Sequence, residues 1–450
     1  MPLTYVHLSD IHFGQEKGAD LIVHNDVKAR LIEDAADQIR IHSGGVATGV
    51  IVTGDVAYGG KAHEYGNAAA WLDQLTAAVG CPKTAVKLVP GNHDIDRDKI
   101  SASCKFLLDE VVSGGEPKLD TFLANEDDRQ ILYRRFAGYE PFALGYDCPL
   151  DSSGGIASDS REELAPGRSI RFFGLNSALI CSLEDKEGRL LLGAAQRVLP
   201  IDSGVELVVL CHHPLNWLQD SADARKYVRS RARVFISGHE HNPSLQIENV
   251  DDGCDLLTLA AGATVPPKAE NGYTYTYNLL TFDWSSDGDK LLVKVVPRAW
   301  SEDTKSFRTD EARLGEHEPT TLLASPNFRR AAAFAASPTV PQASDDLEIE
   351  IPSPGTEGHG KQVQAPEMEA QVTDAFQLVL LKFFRDLTPA QRLTVLVDLN
   401  ALPSDWNESL TLSMERHVVD SLVRAGRLGE LERAIQQIQN QASNSTGEEQ

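Results

Sequence analysis

Short apolar, β-branched runs alternate with stretches of helical periodicity through the first 300 positions of the chain. The runs LTYVHLS, GVIVTG, AVKLVPG, SIRFFGLNS, VELVVLCHH and RVFISGHE each close on small or polar residues and read as strands of an α/β domain. Between Ile100 and Arg168 the pattern turns helical and then loop-rich (DSSGGIASDSREELAPG), with no strong strand. That predicts an insertion forming a cap, since loops of such length are more often functional than filler. From Asp255 to Trp300, in LLTLAAGAT, YTYTYNLLTFDW and LLVKVVPRAW, β-branched and aromatic residues alternate with polar ones. This predicts an antiparallel meander closing a second sheet, so that two sheets lie face to face.

Near Ala335 the pattern is lost in SPTVPQASDDLEIEIPSPGTEGHGKQVQAPE, which holds too little apolar surface to order itself. Helical periodicity returns in AFQLVLLKFFRDL, TPAQRLTVLVDL, LSMERHVVDSLVRAG and RLGELERAIQQIQ. Thr388 is the expected N-cap before Pro389, and Gly426 the expected stop. The expected organisation is therefore an α/β domain over 1–334 with a cap at 100–168, and a flexible linker over 335–368. A small all-α bundle over 369–440 and a disordered tail over 441–450 follow. A long tether favours recruitment of a partner over rigid packing. No internal repeat is present.

Composition narrows the class. Of 450 residues, 42% are apolar and 24% charged, and no run approaches the ~18 uninterrupted apolar residues of a membrane span. The N-terminus MPLTYVHLSD has neither a basic nor an apolar leader segment, so the expectation is a cytoplasmic protein with no membrane partner. Six scattered cysteines without a CxxC pair argue against a disulfide framework or a zinc ribbon. A formal net charge of −24 opposes non-specific adhesion to polyanions. Bound divalent metals and a local basic patch can reverse that sign at a site, so a polyanionic substrate stays within reach.

Five strand-closing motifs carry the chemistry: SDIH (Asp10, His12), TGD (Asp55), GNHD (Asn92, His93, Asp94), CHHP (His212) and SGHEH (His239, His241). Carboxyl ends of strands in an α/β sheet share one edge, so these distant residues converge on one crevice. Singly, GNHD or GHEH reads as a turn with capping side chains. Together, two aspartates, one amide oxygen and several imidazoles form a mixed oxygen and nitrogen ligand set suited to Mn²⁺, Fe²⁺ or Zn²⁺ rather than Ca²⁺. The set is large enough for two ions if one carboxylate bridges, and such a pair supplies a nucleophile for in-line attack on phosphorus. His213 adjoins His212 and is ambiguous as a ligand. Cys211 reads as strand packing, and His7, His24, His42 and His63 as structural or surface residues.

The motif series DxH, GD, GNHD, H and GHxH resembles that of the calcineurin-like metallophosphoesterases, complete and in order over about Met1 to Trp300. The resemblance implies a four-layer αββα sandwich of two mixed β-sheets flanked by helices. It also implies two divalent transition metals, with Mn²⁺ expected and Fe, Zn or Ni as alternatives. Asp10, His12 and His241 would hold the first metal, Asn92, His212 and His239 the second, and Asp55 would bridge them. His93 would stand over the site as general acid, and Asp94 would orient it.

The stretch DARKYVRSRARV, with Arg225, Lys226, Arg229, Arg231 and Arg233, reads either as a solvated helix face or as a basic rim gripping phosphates. Arg229 and Arg231 are the candidate substrate contacts there, with Asn176 at another strand end. The C-terminal bundle (FRDLTPAQRLTVLVDL, AGRLGELERAI) resembles the effector-associated domains, small helical adaptors of bacterial conflict systems. That implies a protein partner, against the plainer reading of an oligomerisation or packing bundle, which leaves a homo-oligomer open. The function expected is hydrolysis of nucleic acid by a metal-dependent phosphodiesterase, a nuclease effector of bacterial defence. The alternatives are a phosphodiesterase of cyclic or other small nucleotides, and a non-enzymatic scaffold.

Overall fold

The computed structural model describes residues 2–16, 18–250, 254–266, 274–315, 317–329, 374–402, 406 and 410–446. In chain order the first half comprises β1 (Leu3–Leu8), α1 (Ala19–Ser43), β2 (Gly49–Thr53), α2 (Ala62–Ala78) and β3 (Val86–Val89). Helices α3 (Ala102–Gly114), α4 (Glu116–Ala124), α5 (Glu126–Tyr133) and α6 (Tyr139–Gly145) follow. Then come β4 (Ser158–Ala165), β5 (Arg168–Gly174), α7 (Ala194–Arg197), β6 (Val205–Leu210), α8 (Ser221–Arg231) and β7 (Ala232–Ser237). The remainder of the sheets is β8 (Ser244–Val250), β9 (Cys254–Ala260), β10 (Thr276–Ser285), β11 (Lys290–Ser301), β12 (Ser306–Thr309), the turn of helix α9 (Glu311–Leu314) and β13 (Thr320–Leu323).

Two mixed sheets result. The first runs β12-β11-β10-β1-β2-β3 with β13 paired to β11, and the second runs β4-β5-β6-β7-β9-β8. Strands β1, β2 and β3 are mutually parallel, as are β5, β6, β7 and β9, while β10 and β4 pair antiparallel to β1 and β5. All six strands read from the apolar runs are present. They are buried almost throughout, as parallel strands covered on both faces must be. Where the sheets meet, Tyr5, Phe172 and Phe282 interlock edge to face at 5.1–6.2 Å between ring centroids. Helix α1 covers the first sheet and α8 the second, completing the α/β sandwich.

Two expectations change. The segment Asp255 to Trp300 is not one meander: β9 joins the second sheet parallel to β7, whereas β10 and β11 cross back to the first. Periodicity reports a strand but not its neighbour, so the sheet assignment was invisible. The segment 100–168 forms helices α3 to α6 but also contains β4, an edge strand. Its sequence SDSREELA is too polar to register as a strand, which is how natural edges are protected.

Helix α10 (326–329) precedes the expected linker, and 335–368 lies outside the described residues. The C-terminal helices are α11 (374–380), continuing as a π-helical turn Leu381–Arg385, then α12 (Pro389–Asp398), α13 (Leu412–Arg424) and α14 (Leu428–Thr446). Thr388 caps α12 in a reciprocal box with Gln391, and Gly426 takes φ 75° after α13, both as expected. Helix α14 extends to Thr446, into the segment expected to be a disordered tail. The bundle also packs directly on α2 and α6. Arg385 pairs with Asp73 at 2.8 Å and donates to the Tyr146 hydroxyl, Arg416 pairs with Asp147 at 2.8 Å, and Leu144 belongs to the bundle's own core.

Candidate metal centre

Each chemical motif begins where a buried parallel strand ends: Asp10 and His12 after β1, Asp55 after β2, Asn92 to Asp94 after β3, His212 after β6, His239 and His241 after β7. The first three loops belong to one sheet and the last two to the other, so the site straddles both carboxyl-end edges. Turning sharply off these strands demands unusual backbone. Asp10, His12, Asp55 and His241 each have φ 54° and His239 has φ 72°, five of the nine non-glycine residues with positive φ among those described. Such conformations cost about 1–3 kcal/mol each and persist where the surroundings enforce them for function. Packing is equally tight. A Cβ at Gly91 would fall 2.1 Å from Asp55 Oδ1, and one at Gly238 would fall 2.1 Å from Ser9 Oγ.

The side chains converge. His241 Nε2 lies 3.1 Å from Asp10 Oδ1, while His12 Nε2 and His212 Nε2 lie 3.2 and 3.3 Å from Asp55 Oδ2. Asn92 Oδ1 is 3.1 Å from His212 Nε2 and 3.0 Å from His239 Nδ1. Ligand atoms of Asp10, His12 and His241, and of Asp10, Asp55 and His212, fall within 4.8 Å of one another. The same holds for His12, Asp55 and His93, and for His212, His213 and His239.

The set suits cations on three counts. Asp10 and Asp55 are buried, yet among the described residues neither faces a Lys or Arg. His12 and His212 direct Nδ1 at the carbonyls of Val265 and Thr53, which presents Nε2 to the cluster, as second-sphere carbonyls do for metal-bound imidazoles. Asn92 turns its carbonyl oxygen, not its amide nitrogen, toward the imidazoles.

Charge coupling is strong. Burial alone would raise both carboxyls, but the His241 hydrogen bond and the His212 charge hold Asp10 well below the usual carboxylate range. The His212 charge and the His12 hydrogen bond do the same for Asp55. Against the effect of burial, the Asp55 carboxylate pushes His212 up to about 9. Burial and the His212 charge lower His239 to about 4.

His93 is half-buried. Its backbone N–H donates to Asp55 Oδ1 at 2.8 Å, and its Nδ1 lies 2.7 Å from the Tyr58 carbonyl oxygen. Burial lowers its pKa, reinforced by the neighbouring His12 and Arg97 and opposed by Asp55. The expected orienter is not the one the structure supplies. Asp94 instead accepts from Gly91, Ala57 and Val56 N–H at 2.9–3.3 Å and from the Tyr65 hydroxyl at 3.0 Å. It braces the loops after β2 and β3, while the His93 ring bonds the Tyr58 carbonyl instead. Burial and the Asp55 charge raise its carboxyl to about 6.

Other expected residues divide. His213 Nδ1 bonds Ser177 Oγ at 2.8 Å and its Nε2 sits 3.8 Å from Cys181 Sγ, so it packs behind His212 and His239. Asn176 is buried and meets Gln196 through its backbone, without a hydrogen bond to the cluster from its amide. Arg231 donates to the Leu199 carbonyl and lies over Tyr227, which makes it a structural residue rather than a substrate contact. Arg233 is buried against Glu206. Arg225 and Arg229 line a cleft, about 220 Å³, beside Glu240, and there Arg229 pairs with Glu248 at 3.2 Å.

Sequence reasoning missed Ser9, which donates to Asp10 Oδ2 at 2.5 Å, and Thr264 and Val265, whose N–H groups anchor the Ser9 and Asp10 carbonyls. It also missed Tyr58, Tyr65 and Trp217. Threonine or tyrosine at such positions carries no local signal, and 264–265 arrive from the far end of the domain.

Comparison with known proteins agrees with this geometry. Residues 375–437 match the model of the GTPase-associated adaptor domain. Over 286 residues the chain is 24% identical to the metallophosphoesterase-like protein YydB of Bacillus subtilis, covering 59% of this chain and 54% of that protein. The chain thus spans about half the length of the curated relative it matches. Solved structures similar to it include NAD nucleotidase of Haemophilus influenzae, with 11% identity, TM-score 0.34, and coverage of 74% of this chain and 55% of that one. Purple acid phosphatase PPD1 of yellow lupin aligns at 13% identity and TM-score 0.33, covering 76% and 57%. Residues 3–243, more than half of the chain and bearing all five ligand loops, match the calcineurin-like phosphoesterase model; the chain belongs to that family of metal-dependent hydrolases with a dinuclear metal centre.

Proposed function

We propose that the chain is a phosphodiesterase of nucleic acid, directed to its target by the C-terminal adaptor. The observation that carries the chemistry is the convergence of two buried carboxylates that face no Lys or Arg among the described residues, one amide oxygen and four imidazoles where the carboxyl ends of the two sheets meet. Asp10, His12 and His241 would hold one ion, Asn92, His212 and His239 the other, with Asp55 between them. Bound there, two divalent ions polarise a phosphoester and supply a nucleophile at neutral pH. Mixed oxygen and nitrogen donors favour Mn²⁺, with Fe, Zn and Ni as competitors.

His93 acts on the other side of phosphorus. With Nδ1–H given to the Tyr58 carbonyl, a proton on Nε2 is the one available to the leaving oxygen, and burial makes the imidazolium readier to release it. Departure of the alcohol then leaves a neutral imidazole with its Nδ1–H bond unchanged. Arg229 and Arg225 line the cleft beside Glu240, which supports a contact between that rim and further phosphates.

The adaptor match supports a protein partner that bears or accompanies a GTPase, and a nucleic-acid hydrolase delivered to such a partner is our reading of it as a defence effector. The test of the chemistry combines metal analysis with cleavage of plasmid DNA, single-stranded DNA, cyclic nucleotides and bis-p-nitrophenyl phosphate in Mn²⁺. Near two equivalents of metal and DNA cleavage that vanishes in His93→Ala, which keeps its metal, are expected. Asp55→Ala should lose metal and turnover together. Turnover of small diesters alone would replace the nucleic-acid substrate by a nucleotide, and a protein that takes up no metal would leave a scaffold.

A further inference from the structure

Two aromatic rings border the ligand cluster at its two ends, and neither serves the metal chemistry directly. Tyr58 follows Asp55 by three residues. One of its faces stacks on His93, with ring centroids 5.0 Å apart and planes 23° from parallel, and its edge approaches His12 at 6.2 Å. Yet Tyr58 keeps 44% of its surface exposed. Holding His93 in place is the task of the Tyr58 backbone carbonyl, which any residue would supply. The ring is therefore an aromatic surface left open to solvent immediately beside the candidate general acid. At the other end Trp217 meets His239 edge on at 4.1 Å, with its indole N–H fixed by Glu240 at 3.2 Å.

We infer that Tyr58 is a base-stacking platform, receiving on its open face the nucleobase next to the scissile phosphate. Aromatic faces bind any base by stacking, at a strength worth about 5- to 150-fold in affinity for each base. A ring standing against His93 places that base on the side of the departing oxygen, so recognition and protonation act on the same half of the substrate. Trp217, pinned by Glu240, borders the opposite half. The inference rests on the phosphodiesterase reading and deepens it: the site selects base-bearing diesters over alkyl ones through a ring that the metals do not need.

The test uses the full chain with Mn²⁺, a thymidine dinucleotide, and the two analogues in which a tetrahydrofuran abasic unit replaces one or the other nucleoside. The wild type is expected to cleave the parent dinucleotide about 5- to 150-fold better in kcat/KM than the analogue lacking the base on the leaving side. Tyr58→Phe should keep that ratio and Tyr58→Ala should bring it close to one. In calorimetry, thymidine monophosphate should bind the wild type more tightly than methyl phosphate, a preference that Tyr58→Ala loses. Equal loss of turnover on parent and abasic substrates in Tyr58→Ala would make the ring a positioning group for His93 and overturn the platform. So would a wild type that does not distinguish them, or one that hydrolyses bis-p-nitrophenyl phosphate but no dinucleotide. No hydrolysis of any diester would instead overturn the phosphodiesterase reading and the platform with it.

Discussion

The Asp94 carboxylate, itself fully buried, takes hydrogen bonds from three backbone N–H groups and the Tyr65 hydroxyl. Removing it orphans those donors, each at about 1–3 kcal/mol, so Asp94→Ala is expected to lower the unfolding free energy by about 3 kcal/mol or more. Urea denaturation of the metal-free protein measures this. An orienter of His93 would behave differently: the variant would unfold like the wild type and change only the pH dependence of turnover. The candidate ligands were legible because five motifs, each ordinary by itself, occur together in one order at strand ends. Asp94 was legible in identity but not in role, since adjacency in sequence says nothing about which way a side chain leaves a tight turn. Tyr58 and Trp217 had no signal at all, because an aromatic residue in a loop is ordinary until its neighbours are known.

Strand ends explain why the ligands need their loops as much as their side chains. Gly91 lies against Asp55 so closely that an added Cβ would meet Asp55 Oδ1 at 2.1 Å and its backbone nitrogen at 2.6 Å. Gly91→Ala is therefore expected to fold but to displace Asp55, lowering retained metal at least about tenfold, as loss of a supporting contact around a metal ligand does. Metal analysis after gel filtration reads the change. Gly66→Ala is the control: in the exposed face of α2 nothing lies within 4 Å of the new Cβ, so that substitution should be neutral or stabilise by up to about 1 kcal/mol. The parallel strands were readable as continuous apolar runs. Strand β4 was not, because an edge strand rich in Asp, Glu and Arg hides its periodicity in order to stay unpaired with other molecules.

Across the whole molecule the adaptor is attached by packing as well as by the chain. Arg385 is buried between Asp73 of α2 and Tyr146, Gly145 abuts its backbone, and Leu144 completes the bundle's apolar cluster. From Tyr146 the contacts continue through Phe142 at 5.2 Å to Tyr65 at 5.1 Å, whose hydroxyl meets Asp94. Ending the chain after residue 329 would expose Leu144 and leave Asp73 with Lys83 as its remaining cation. The truncated protein is expected to melt several degrees lower and to aggregate more readily, and Arg385→Ala to cost about 1–3 kcal/mol through its lost charge-assisted hydrogen bonds. Thermal unfolding monitored by circular dichroism, with light scattering in parallel, compares the three proteins. Unchanged melting in the truncated form would return the bundle to the status of a tethered module.

By itself the sequence determined the apolar strands, the order of the motifs that close them, and the helical unit that follows a Pro- and acid-rich segment. Those features are local: motif identity, apolar continuity and capping each operate within a few residues. Only the tertiary structure decided which sheet β9, β10 and β11 join, that Asp94 braces loops rather than His93, that Arg231 and Arg233 serve the fold, and that the adaptor packs on α2 and α6. These depend on partners tens to hundreds of residues away, chosen by shape and by the need to satisfy buried polar groups, and neither leaves a mark in any short window of the chain.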